Sequence, residues 1–189
     1  GSLSDAAGNA MSSFAIASNL ASSSALVIDT TPATVTNVTS STANGIYNAS
    51  DAISIQITFS EVMTVSGTPQ LTLETGSSDA VANYASGTGT NTLTFAYTVA
   101  SGQTSSDLDY ASTSALALNG GSILDPAGNA STLTLASPGA TGSLGANKNL
   151  VIDTTPATVT NVTSSTTNGT YNADDAISIQ VVFSEVMTV

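Results

Sequence analysis

Ala52-Ile53-Ser54-Ile55-Gln56-Ile57-Thr58-Phe59 alternates without a break. Ile53, Ile55, Ile57 and Phe59 fall on one side of an extended chain, and Ser54, Gln56 and Thr58 on the other. Successive side chains of a strand point to opposite faces, so this period of two predicts a strand with one buried face. The stretch returns at 176–183 with Val181 and Val182 in place of Ile57 and Thr58. Working outward, residues 27–65 and 151–189 match at an offset of 124, with 34 of 39 positions identical. The differences are Ala43/Thr167, Ile46/Thr170, Ser50/Asp174, Ile57/Val181 and Thr58/Val182. A period of this kind is a tandem repeat and governs every other reading.

The repetition also runs backwards. Asp5-Ala6-Ala7-Gly8-Asn9-Ala10 matches Asp125-Pro126-Ala127-Gly128-Asn129-Ala130. The chain therefore reads as the tail of one repeat (1–26), one whole repeat (27–150) and the head of a third (151–189). Head and tail together supply 65 of the 124 residues of a repeat. A head-to-tail neighbour could not complete a repeat from these pieces, so the expectation is a window on a longer array.

Composition narrows the chemistry. There is one lysine, Lys148, and no arginine, histidine or cysteine. General-base and nucleophilic catalysis draw mainly on His, Cys or Lys. Metal sites built on imidazole or thiolate are excluded. Paired carboxylates can hydrolyse glycosides, but 5% aromatic residues leave little to line a sugar cleft, so no enzyme is expected. A net charge of −12 opposes binding to phosphate backbones and anionic membranes. No apolar run reaches the length of a membrane span. Only 7% of residues are charged, yet 41% are hydrophobic and they alternate, which favours a folded β protein over disorder.

Along the whole repeat, Asp29-Thr30-Thr31-Pro32 reads as a short stiff linker, because Pro32 lacks an amide proton and pushes Thr31 toward extended geometry. Strands are predicted at 34–38, 52–59, 70–73, 79–84, 92–99 and around Leu116 and Leu118, with Ser60-Glu61 ending the second. Leu133 and Leu135 begin a closing segment that resumes at 149–152. Residues 40–50 read as a loop around Asn44-Gly45. In the preceding tail, Phe14 and Ile16 alternate with small residues before Leu26-Val27-Ile28. Seven or eight short strands, turn residues between them and no helical periodicity predict an all-β fold, an immunoglobulin-like antiparallel β-sandwich. Tyr110 is placed where such folds pin a corner, the alternative being an ordinary half-buried tyrosine.

Five motifs occur in order: the Asp-Thr-Thr-Pro linker, Phe59-Ser60-Glu61-Val62, Gly67-Thr68-Pro69-Gln70-Leu71, Asp107-Leu108-Asp109-Tyr110 and Asp125-Pro126-Ala127-Gly128-Asn129. Together they resemble bacterial Ig-like tandem repeats of giant surface adhesins and of swimming-motility (SWM-type) surface proteins. The resemblance implies extracellular, non-enzymatic modules stacked end to end on the bacterial cell surface, often stiffened by calcium at the junctions. Gly-Gly-x-Gly-x-Asp nonapeptides are missing, so no calcium-binding β-helix is expected.

Sandwich topology sorts the carboxylates. Asp29, Glu61 and Asp125, with Asn129, are expected to converge at one pole of the whole repeat. Asp51, Asp107 and Asp109 belong at the other, where they would approach Asp153 and Glu185 of the next repeat. Several carboxylates and an amide carbonyl suit calcium, a hard cation that takes oxygen ligands. A single lysine leaves clustered carboxylates without partners. The candidate ligands are Asp5, Asp29, Glu61, Asp107, Asp109, Asp125, Asn129, Asp153 and Glu185, with Asp29/Asp153 and Asp5/Asp125 foremost. The competing reading is that these residues form turns and cap strand ends, with Asn9 and Asn129 in left-handed conformation beside Gly8 and Gly128. An isopeptide crosslink from Lys148 is disfavoured, because the matching position in the preceding tail is Ser24.

The function expected is structural: an extender module giving length and stiffness to an adhesin stalk or surface fibre, with adjacent repeats as its partners. The alternatives are a self-assembling filament or surface-layer subunit, joined laterally or head to tail, and a carbohydrate-binding or ice-binding module presenting Thr92, Thr94 and Thr98.

Overall fold

The computed structural model describes residues 3–11, 19–20 and 24–188. The chain divides into two compact units, Gly1–Thr31 and Pro32–Val189. In the first, Ser4 and Ala10 form an antiparallel bridge around a turn. Leu26, Val27 and Ile28 are exposed. The alternation expected at Phe14 and Ile16 lies outside the described residues.

The second unit is almost entirely β. Its elements are β1 (Val35–Ser40), β2 (Gly45–Tyr47), β3 (Ala52–Ser66), β4 (Gln70–Leu73), β5 (Ala80–Ser86), β6 (Thr90–Thr98), β7 (Thr104–Ser105), β8 (Leu116–Ala117), β9 (Ser122–Leu124), one helical turn α1 (Leu144–Asn147), β10 (Leu150–Asp153), β11 (Val159–Ser164) and β12 (Ile179–Phe183). The largest sheet has the order β1-β3-β6-β5-β4-β8, all antiparallel, with β9 added to the far half of β3. A second sheet places β10 between β2, to which it runs parallel, and β7, to which it runs antiparallel. β11 and β12 form a two-stranded ladder.

The alternation at 52–59 does what it predicts. Ile53, Ile55, Ile57 and Phe59 are buried, with Leu93, Phe95 and Tyr97 of β6 beside them in register. Burying each such side chain stabilises by about 1.5–3 kcal/mol. Leu150 and Ile152 of the second sheet join the same core, as do Leu108, Tyr110, Leu135 and Leu144. The architecture is thus sandwich-like: one large curled sheet covered by a small sheet and by ordered loops.

Four features depart from expectation. β3 does not end at Ser60-Glu61: its register shifts between Thr58 and Met63, and it continues to Ser66. A bulge bends a strand without ending it, so β3 pairs with β6 before the bend and chiefly with β9 after it. The 40–50 loop contains β2, and β7, β9 and α1 were not foreseen. Two- and three-residue strands are too short to carry a period and exist only through their partners. α1 starts because the Ser143 hydroxyl accepts from the Ala146 amide at 3.2 Å, an N-cap. Finally, β8 stops at Ala117 and Leu118 is exposed, because the chain turns back through Asn119 and Gly120, both at positive φ.

Candidate functional site

The Asp-x-Ala-Gly-Asn motif builds one local structure twice. At Asp125, Oδ1 accepts from the Asn129 amide and Oδ2 from the Asn129 side-chain amide, both at 2.8 Å. At Asp5 the same two bonds to Asn9 are each 2.9 Å. The backbone closes alike, with Gly128 donating to the Asp125 carbonyl and Gly8 to the Asp5 carbonyl. The left-handed residues are Gly8 (φ +88°) and Gly128 (φ +91°), not the asparagines, whose side chains clamp the aspartates. Asp125 is buried and Asp5 exposed. Burial would raise the Asp125 carboxyl, but hydrogen bonds from the side chain and backbone of Asn129 and from the amides of Ala127 and Gly128 hold it below the ordinary range. Asp5 is held low chiefly by the Asn9 side chain.

The bend in β3 positions Glu61. β9 runs antiparallel to the far half of β3, with Leu124 opposite Thr64, so Asp125 emerges beside Met63 and near Glu61. Carboxylate oxygens of Glu61 and Asp125 lie within 4.8 Å of each other. In the first unit, Asp29 Oδ1 accepts from the Thr31 amide at 2.9 Å.

Asp153 repeats that turn, accepting from the Thr155 amide at 3.0 Å. With Glu185, Asn48, Thr154, Thr155 and Pro156 it lines one surface pocket. On its other side it shares a second pocket with Glu74, a carboxylate that sequence reasoning passed over. Glu74 Oε1 accepts from the Gly76 amide, two residues on.

Asp107 and Asp109 lie elsewhere. Among the described residues they form no group of three carboxylates with Asp153 and Glu185. Asp109 is buried, and accepts from the Tyr110 amide (Oδ1) and the Gly139 amide (Oδ2), each at 2.9 Å. Both aspartates face α1: a Cβ on Gly145 would come 3.0 Å from Asp109 Oδ2 and 3.6 Å from Asp107 Oδ2. Asp109 therefore ties the 137–145 loop to the core. Asp51 caps its own turn, Oδ2 accepting from the Asn48 amide at 2.8 Å. Tyr110 is fully buried, and its hydroxyl donates to the Ala136 carbonyl at 2.6 Å. It is a structural pin, reaching forward along the chain where the usual tyrosine corner reaches back.

The linker after β10 is anchored by a residue that carried no signal in the sequence. Thr154 Oγ1 accepts from the Gly102 amide and donates to the Gln103 carbonyl, both at 2.9 Å. Gln103 Oε1 in turn accepts from the Tyr97 hydroxyl at 2.8 Å and the Ala100 amide at 2.7 Å. The linker is thereby tied to the turn between β6 and β7. Thr154 is one of many threonines in the chain, and only the approach of that turn distinguishes it.

The donor set around Asp125 is chemically suited to a hard cation. It offers carboxylate oxygens from Glu61 and Asp125, in a chain whose one lysine is Lys148. Both Asp125 oxygens already accept from Asn129, so the turn alone accounts for that residue's placement. Among the described residues no helix is long and apolar enough to cross a membrane. Comparisons with protein families, with characterised proteins and with solved structures return no match.

Proposed function

We propose that this chain is a stretch of an extender: immunoglobulin-like sandwich modules, repeated in tandem, that give length and stiffness to a large bacterial surface protein outside the cell. The observation that carries this reading is the anchored linker. β10 closes the whole repeat, and the chain crosses to β11 in the five residues Thr154-Thr155-Pro156-Ala157-Thr158. One of these is Pro156, and Thr154 is bonded on both sides to the repeat just completed. A linker so short, and fixed at its first residue, transmits orientation from one module to the next. The five-motif resemblance supplies the bacterial, extracellular part of the reading. Adjacent repeats are then the partners, and each module contacts only its neighbours.

Calcium is part of this proposal. Glu61 and Asp125 would offer it oxygens at one pole of a repeat, and Asp153 and Glu185 at the next junction. Charge balance supports it: two carboxylates at this separation repel by about 1 kcal/mol in water and by more where partly buried. Bound, the ion would neutralise that repulsion and stiffen the junction.

The test uses a chain of two complete repeats carrying a spin label in each. A narrow inter-label distance distribution, broadened by Thr154→Val, supports the extender. A broad distribution in the unsubstituted chain makes it a flexible tether. Thermal melts of the same chain in calcium and in chelator test the metal. A rise of several degrees, reduced by Asp153→Ala, is expected, and equal melting temperatures would remove calcium from the proposal.

A further inference from the structure

β11 and β12 reproduce β1 and the first half of β3 in detail. Val35 pairs with Phe59, and Val159 with Phe183. The register shift between Val35 and Asn37 recurs between Val159 and Asn161. The side-chain bonds recur too. Ser40 Oγ donates to the Ser54 carbonyl at 2.6 Å, and Ser164 Oγ to the Ser178 carbonyl at 2.7 Å. Thr36 bonds the Thr58 carbonyl and Thr160 the Val182 carbonyl, both at 3.1 Å. The ladder of the third repeat is therefore formed by its own residues.

Its apolar face is open. Ile55 and Phe59 are 0% and 1% exposed, whereas their counterparts Ile179 and Phe183 are 69% and 40% exposed. Val162, Ile177, Val181 and Met187 are exposed as well. β12 also has an unpaired edge, because its sheet contains two strands. Exposed apolar strand edges are templates for another strand.

The whole repeat shows what fits this edge. The matching edge of β3 holds β6, with Tyr97 opposite Ile53, Phe95 opposite Ile55 and Leu93 opposite Ile57. Carrying that register forward by 124 residues sets Tyr97 opposite Ile177, Phe95 opposite Ile179 and Leu93 opposite Val181. Two of these three acceptor positions are unchanged and the third is Ile to Val.

We propose that the β12 edge and its apolar face form a strand-acceptor site. Its occupant is a separate extended segment of the Thr90–Thr98 type: uncharged, free of proline, with Leu, Phe and Tyr at alternate positions, added antiparallel to β12. Main-chain bonds supply affinity, and the alternate side chains supply register and specificity. The site does not depend on the extender reading or on calcium.

The test is amide hydrogen exchange on the 189-residue chain with a synthetic peptide of residues 88–100. Saturating peptide should slow exchange at 177–183 at least tenfold and leave 53–59, where β6 is already in place, unchanged. A peptide carrying Leu93→Ser, Phe95→Ser and Tyr97→Ser should have no effect. The proposal is overturned by unchanged exchange at 177–183, or by equal protection from the serine peptide. It is also overturned if these residues are protected without peptide in proportion to chain concentration, which would make a second copy the occupant.

Discussion

Tyr110 and Asp125 each carry a structural load that can be read out by pH. Burial, and then the charge of Asp109, push the Tyr110 phenol up to about 12. Between the ordinary phenol value of about 10 and that value, the folded chain keeps a proton that the unfolded chain releases. Its contribution to stability is complete below about pH 10 and declines as pH rises. Tyr110→Phe should therefore cost about 1–3 kcal/mol at pH 7, by loss of the bond to Ala136, and should weaken the alkaline decline seen in urea titrations. Asp125 runs the other way. Its carboxyl is held low, so its contribution is present above about pH 4 and is lost as pH falls through the folded value. Asp125→Asn sets an amide against the Asn129 side chain. It should lower the melting temperature at pH 7 and flatten the acid limb of the stability curve. The Asp125 turn was legible as a turn from Gly128 and the flanking Asp and Asn. The Asn129-to-Asp125 clamp was not, because the sequence pattern does not say which polar side chain of a turn faces which.

Among elements, β3 organises the molecule. It borders β1, β6 and β9, and its bend brings Glu61 near Asp125. Phe59→Ala should cost about 3–5 kcal/mol in urea unfolding, the usual range for a large side chain removed from a packed core. Phe183→Ala, the same change in the same local sequence, should cost under about 1 kcal/mol, because that side chain is exposed. Where β3 meets β9 the backbones approach closely: a Cβ on Gly121 would lie 2.2 Å from the Ser66 carbonyl oxygen. Gly121→Ala should thus destabilise more than Gly102→Ala, whose added methyl meets nothing within 4 Å. Long strands were legible because six or more residues show a period. β2, β7 and β9 were not, since each is held in place by a partner far away in the chain.

At the scale of the molecule, a net charge of −12 with one lysine means self-repulsion without compensation. Screening should relieve it, so the urea midpoint is expected to rise between low salt and about 0.5 M NaCl, where the Debye length is well below 10 Å. A midpoint independent of salt would show the carboxylates already spaced or neutralised. The sequence alone determined the repeat of 124 residues, the two faces of each long strand, the Asp-x-Ala-Gly-Asn turns and the chemistries that lack their residues. All of these depend on local conformation or on composition. Tertiary structure alone decided that Thr154 anchors the linker and that Asp109 and Tyr110 fasten loops to the core. It also decided which copy of the Ile-Ser-Ile-Gln stretch is buried. Residues 53–56 and 177–180 are identical, yet the isoleucines of one are enclosed and those of the other are open. A strand's own residues set its apolar face, but burial is supplied by its neighbours, and only one copy has β6 beside it.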